Sequence, residues 1–167
     1  MKYFIVGYGS LISHNSLKET INDKKYELVI VRGYKRIFNI FNGWRKDILN
    51  LKKSSNSKFN GVIFEVDDEE LRKIKKREDI YKFEEVEVYG FKSRKKIRKA
   101  FIVIDYFIDI DKEKKLPSKN YFVLCREAAY HISRKFGNYW DKTTYISDNE
   151  RISEWIKKHR EYDTIER

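Results

Sequence analysis

Three places in the chain combine residue types that can bind an anion or move a proton. The first is Gly7-Tyr8-Gly9-Ser10-Leu11, directly after the apolar run Tyr3-Phe4-Ile5-Val6. A strand that stops at glycines leaves backbone N–H groups bare at its end. With no Cβ in the way, an anion or a developing oxyanion can approach them. The second is Glu78. Leu71, Ile74 and Glu78 fall at helical spacing and share a face. A carboxylate that closes an apolar stripe at a helix C-terminus is raised in pKa by desolvation and by the macrodipole. Such a group suits proton uptake and return near neutral pH. The third is Tyr121, in the first turn of a helix opened by Pro117-Ser118. Its ring can close a pocket and its hydroxyl can bond a polar ligand.

Each feature also has a plainer reading. The loop can be a tight strand-to-helix turn, the glutamate can pair with a lysine in solvent, and Tyr121, one of 12 tyrosines, can be a core residue. Two familiar motifs are excluded. Ile12 stands where a dinucleotide fingerprint needs its third small residue, and the chain beyond it is β-rich, with no clear strand–helix–strand unit. A nucleophile elbow would also need glycine at Ile12. His14, His131 and His159 have no metal-ligand spacing with one another or with Cys125, so no metal or cofactor is expected. Cys125, with Ala128 and Ala129 after it on a helix, reads as a small core residue.

The elements that must position these residues are read from apolar period and punctuation. Residues 3–7 predict a strand and His14–Thr20 a short helix. Tyr26–Gly33 and Tyr34–Phe41 predict two β-rich runs, with Gly33 marking a bend or bulge. Asp47–Leu51 adds a strand, Lys52–Asn60 reads as a serine- and asparagine-rich loop, and Gly61–Val66 as a further strand. Asp67 or Asp68 caps a helix to Glu78. Strands come next at Phe83–Tyr89 and Ile97–Asp105, around a turn at Gly90–Arg94, and Asp109–Lys119 is a charged loop. Ser118 then opens a helix from Lys119 to about Phe136, stopped by Gly137, and Asp148 caps a last helix in which Ile152, Trp155 and Ile156 share a face. Strands joined by short turns are antiparallel. The pattern therefore predicts an α+β fold, a mixed and strongly curved β-sheet or small barrel with flanking helices.

A chain of 167 residues with 41% hydrophobic and 16% aromatic content supports one folded domain over residues 1–167. It contains no apolar run long enough for a membrane span and no secretory leader pattern, and Cys125 is its only cysteine. Together these point to a cytoplasmic setting. The net charge of +11 raises a nucleic-acid partner, with basic clusters at Arg72–Arg77, Lys92–Lys99 and Lys112–Lys119. Acidic residues are interleaved and no nucleic-acid motif accompanies them, which favours a generally basic solvated surface. The oligomeric state is not set by the sequence.

In order along the chain, Tyr8-Gly9-Ser10-Leu11, Gly33-Tyr34-Lys35-Arg36, Gly61-Val62-Ile63-Phe64-Glu65-Val66, Glu78 and Pro117-Ser118-Lys119-Asn120-Tyr121 resemble the gamma-glutamylcyclotransferase-like family. The resemblance spans about residues 3–137. The family often shows Asp-x-x-Glu-Gly around its glutamate, where this chain has Lys75-Lys76-Arg77-Glu78-Asp79. The resemblance implies a cyclotransferase acting on a small γ-glutamyl amine or peptide, without metal or cofactor. The substrate's α-amine attacks its own γ-carbonyl, 5-oxoproline forms and the amine leaves. Glu78 would be the general acid and base. The backbone around Tyr8, Gly9, Ser10 and Leu11 would hold the oxyanion or the α-carboxylate, and Tyr121 would line the pocket. The alternative is a non-catalytic basic module on the same scaffold, contacting RNA.

Overall fold

β-branched and aromatic residues recur through the N-terminal two thirds of the chain, and there the strands are long enough to wrap around a core. In the computed structural model, the described residues are 1–9, 12, 25–39, 48–77, 82–104, 116–147 and 149–166. They form strands β1 (Tyr3–Gly7), β2 (Tyr26–Asn39), β3 (Ile48–Val66), β4 (Lys82–Gly90), β5 (Lys96–Ile104), β6 (Thr144–Ser147) and β7 (Glu150–Arg151). The helices are α1 (Asp68–Arg77), α2 (Lys119–Ile132), α3 (Arg134–Thr143) and α4 (Ile152–Trp155), with a 3-10 turn at Arg160–Tyr162.

The sheet runs in the order β3-β1-β5-β4-β2-β6-β7, and β2 also pairs with β3. That last pairing closes the ring β3-β1-β5-β4-β2 on itself, leaving β6 and β7 as an extension from β2. The pairing of β1 with β5 and that of β2 with β6 are parallel, and the others are antiparallel. The fold is therefore α+β with a mixed, strongly curved sheet, as the sequence pattern predicts. Closing the ring removes exposed strand edges and encloses Val6, Val29, Val31, Leu51, Phe59, Val88 and Ile102. A second cluster, Ile5, Phe64, Val66 and Ile74, seats α1 on the outside of β1 and β3.

Several elements differ from the sequence reading. The two runs on either side of Gly33 are one continuous strand. The register with β3 slips between Arg32 and Tyr34, where Gly33, at φ +89°, faces the four residues Ser54–Ser57, so the glycine does mark a bulge and the extra residues are on β3. Lys52–Asn60 is not a loop. It is the middle of the 19-residue β3: Lys52, Lys53 and Lys58–Asn60 pair with β2, and Ser54–Ser57 bulge out opposite Gly33. The helix expected to run on to Gly137 is broken at Ser133, which is extended (φ −170°, ψ 159°) and accepts the Phe136 N–H at 3.0 Å to cap α3. Gly137 lies inside α3, where a Cβ would fall 2.4 Å from the Tyr130 ring. Ser118 makes no side-chain cap, and α4 begins after Arg151, while Asp148 lies outside the described residues. The expected His14–Thr20 helix and most of the Asp109–Lys119 loop also lie outside them. At α1 the Glu70 N–H donates to Asp67 Oδ1 (2.8 Å) and the Asp67 N–H to Glu70 Oε2 (3.0 Å), a reciprocal box that fixes where the helix starts.

Candidate active site

β1 ends at Gly7, and the chain turns at once, with the Ile12 N–H donating to the Gly9 carbonyl at 3.0 Å. The Tyr121 hydroxyl, from the first turn of α2, lies directly against this turn. A Cβ built on Gly9 would be 3.1 Å from that oxygen and 3.4 Å from Leu49 Cβ. Glycine is thus needed here because another chain segment approaches its Cα closely. The same hydroxyl accepts the Leu49 N–H at 3.2 Å, and its ring packs edge-on against Phe38. Gly9 and Tyr121, far apart in sequence, share one small polar junction with the start of β3.

Burial dominates the electrostatics of this junction. Desolvation raises the Tyr121 hydroxyl well above the usual tyrosine range, so it is a neutral donor and acceptor. Desolvation also pushes the neighbouring Cys125 thiol up to about 12, against the smaller opposing pulls of the Tyr121 hydroxyl and the Arg36 charge. Cys125 is fully buried, as its expected core role requires.

Tyr8 points its side chain into the barrel, where its hydroxyl donates to the Val103 carbonyl at 2.5 Å and its ring meets Phe59 edge-on. The Tyr8 backbone faces Arg36. That guanidinium is fully buried and donates to Thr144 Oγ1 (2.7 Å), Asn60 O (2.5 Å), Asn60 Oδ1 (2.8 Å), Thr143 Oγ1 (3.1 Å), Tyr8 O (3.4 Å) and Trp140 O (3.5 Å). Burial lowers its pKa to about 9. The sequence placed Arg36 in a motif without giving it a task. A signal was present: Tyr34, Arg36 and Phe38 alternate on the inward register of β2, so a cation stands in a row of core residues.

Ser10, Leu11 and Glu78 lie outside the described residues. α1 ends at Arg77, and the chain is described again from Lys82. Lys82 pairs with Ile104 and Phe83 with Val103, the residue whose carbonyl accepts the Tyr8 hydroxyl. The strand that comes after Glu78 therefore starts at the end of the barrel that carries Tyr8 and Gly9. An open cleft lined by Lys35, Tyr145, Asn149, Glu150, Arg151 and Glu154 involves none of the anticipated site residues. Among the described residues no group of three or more His, Cys, Asp and Glu side chains could hold a metal ion.

The sequence pattern of the family described as ChaC-like protein matches residues 3–159 of the chain. No curated protein matches it. Among solved structures, the fold is similar to a gamma-glutamyl cyclotransferase (TM-score 0.71, 14% identity, 98% of this chain and 100% of that one). It is similar to an uncharacterised human protein (TM-score 0.70, 14% identity, 96% and 98%). It is also similar to a yeast gamma-glutamyl cyclotransferase specific to glutathione (TM-score 0.50, 15% identity, 99% and 90%).

Proposed function

The chain belongs to the ChaC-like protein family, and from that premise we propose that it is a gamma-glutamylcyclotransferase-like enzyme. It converts a small γ-glutamyl amine or peptide into 5-oxoproline and the free amine. The observation that carries this reading is the junction of Gly9 with Tyr121. It joins the first and last segments of the family pattern at one end of the barrel. The return of the chain at Lys82 to that same end supports a place for Glu78 there.

In this reaction the substrate's α-amine attacks its own γ-carbonyl carbon. The new C–N bond closes a five-membered lactam, and the bond to the leaving amine breaks. The nucleophile is tethered to its target, so the protein's first task is to hold the folded conformer. Glu78 takes a proton from the α-ammonium and returns one to the departing nitrogen. Main-chain N–H groups of Gly9, Ser10 and Leu11 hold the oxygen that gains charge on the γ-carbonyl or the α-carboxylate. The Tyr121 hydroxyl, kept neutral by burial, walls the pocket and can donate one hydrogen bond. Charge pairing weighs against the nucleic-acid alternative. Within the Lys92–Lys99 cluster, Lys96 pairs with Glu87, Arg98 with Glu27 and Lys99 with Glu85.

The test is Glu78→Gln, which keeps the shape and removes the base. General acid–base catalysis contributes about 10²–10⁴ in rate, so kcat for 5-oxoproline release from a panel of γ-glutamyl peptides falls by at least about a hundredfold. An unchanged kcat in a folded Glu78→Gln protein removes Glu78 from the mechanism.

A further inference from the structure

The deepest charged side chain among the described residues is Arg36. Its surroundings differ from those of the other buried arginine. Arg126 is 2.9 Å from Asp141 and 2.7 Å from Asp163. The acceptors around Arg36 are carbonyl, amide and hydroxyl oxygens, and no carboxylate lies within ion-pair distance among the described residues. Asp141 acts on Arg36 only through space, and burying a cation without a directly paired counter-charge is costly. Neutral side chains could tie β2 to β3, α3 and β6 at less cost. What the guanidinium adds is a full positive charge and a donor immediately behind the Tyr8–Gly9 peptide.

That position has a geometric consequence. The peptide is trans, and a trans peptide is planar, with its C=O and N–H pointing in opposite directions. Arg36 Nη1 donates to the Tyr8 carbonyl from the barrel interior. The Gly9 N–H of the same plane is therefore turned away from Arg36. A positive charge on the carbonyl side also polarises the amide and strengthens its N–H as a donor. Five donors in a rigid plane suit this task, because the group is fixed by Asn60, Thr143 and Thr144 while one nitrogen still reaches Tyr8.

We infer that Arg36 is a positioning residue for the reaction: it holds and polarises the Tyr8–Gly9 peptide so that the Gly9 N–H serves as a fixed donor to the oxygen that gains charge on the γ-carbonyl. The inference rests on the cyclotransferase reading above. A donor used by the transition state more than by the ground state changes kcat and leaves KM in place.

The test compares Arg36→Lys, Asn60→Asp and Arg126→Lys, each assayed with a γ-glutamyl dipeptide well below its melting temperature. Arg36→Lys keeps a charge but loses the planar fork. Asn60→Asp gives Arg36 a carboxylate that neutralises it and draws it off the Tyr8 carbonyl, and it remains informative if the lysine variant does not fold. Arg126→Lys removes the planar fork of the other buried arginine, which bonds Asp141 and Asp163 and not Tyr8. The expected result is a kcat lowered at least about tenfold in the first two, with KM within about twofold, and near-wild-type kinetics in Arg126→Lys. The ¹⁵N–¹H resonance of Gly9 moves in the first two and not in the third. Wild-type kcat with an unmoved Gly9 resonance in folded Arg36→Lys or Asn60→Asp overturns the inference. So does a raised KM at constant kcat. A wild-type protein that releases no 5-oxoproline overturns the functional reading instead, and the Gly9 resonance still decides whether Arg36 holds that peptide.

Discussion

An alanine at position 9 would place its Cβ 3.1 Å from the Tyr121 hydroxyl oxygen and 3.4 Å from Leu49 Cβ. Either the hydroxyl or the turn must give by a few tenths of an ångström. Removing the hydroxyl instead leaves the Leu49 N–H without the acceptor it has at 3.2 Å. A buried donor stranded in this way costs about 1–3 kcal/mol. The two changes bear on one spot, so their effects will not add. Gly9→Ala costs stability in the wild-type background and less in Tyr121→Phe, where the opposing oxygen is gone. The coupling expected from a urea-unfolding double-mutant cycle is about 1 kcal/mol, within the range for residues in contact. Strict additivity would mean that the hydroxyl and the turn do not touch in solution.

At the scale of elements, two glycines show why the barrel closes where it does. Gly61 lies in β3 next to the end of its pairing with β1 at Gly7 and Val62, and a Cβ there would sit 2.7 Å from the Gly7 carbonyl oxygen and 3.1 Å from Val6 Cγ1. Backbone cannot swing aside as a side chain can. Gly61→Ala is therefore expected to cost about 1–3 kcal/mol through overpacking. Gly33 is the opposite case. Nothing lies within 4 Å of its Cβ position, but φ is +89°. There the penalty belongs to the backbone, so Gly33→Asn should lower the melting temperature less than Gly33→Ala, since asparagine tolerates positive φ better. At Gly61, asparagine should be at least as harmful as alanine. The sequence showed that Gly33 interrupts a β run, because a glycine between aromatic and β-branched residues has few other uses. It misread Lys52–Asn60, where serine, asparagine and lysine signal a loop. Pairing with β2 at both ends of the segment, and burial of Phe59 and Asn60, override that signal, while Ser54–Ser57 between them have no β2 partner. The Ser133 break was also hidden. Helix propensity continues through Arg134 and Lys135, and the stop comes from the packing of α3 against α2 and β3. For the site, the closeness of Gly9 and Tyr121 could be reached only through the ordered family pattern. No local period links residues so far apart.

Over the whole molecule, the outer elements are tied down by a buried ion network. Arg126 on α2 makes a bidentate pair with Asp141 on α3 and a third bond to Asp163 near the C-terminus, while the Tyr130 hydroxyl donates to Asp141 at 2.6 Å. This network is charged on both sides. The Tyr121–Cys125 junction beside it is neutral, which gives global stability a readable dependence on pH. Cys125 has an ordinary value of 9.0 and about 12 in the fold, because burial disfavours the thiolate. The folded state thus holds the thiol proton more tightly than the unfolded chain. The stabilisation it brings is fully present below pH 9 and is lost as pH rises toward about 12. Arg36 works in the other direction: burial lowers its pKa to about 9, so the unfolded chain binds its proton more tightly and this group's cost shrinks above that pH. Cys125 and Arg36 also feel each other's charge, so the difference between wild type and Cys125→Ala reports the thiol together with that coupling. One proton over one pH unit corresponds to about 1.4 kcal/mol. The wild-type advantage in unfolding free energy over Cys125→Ala should therefore be constant from about pH 6 to 8. It should shrink by about 1–1.5 kcal/mol between about pH 8 and 10, as read from guanidinium unfolding at each pH. A difference that stays flat to about pH 10 would mean that the thiolate is as well accommodated in the fold as in water, and that the junction beside Gly9 is wet rather than sealed.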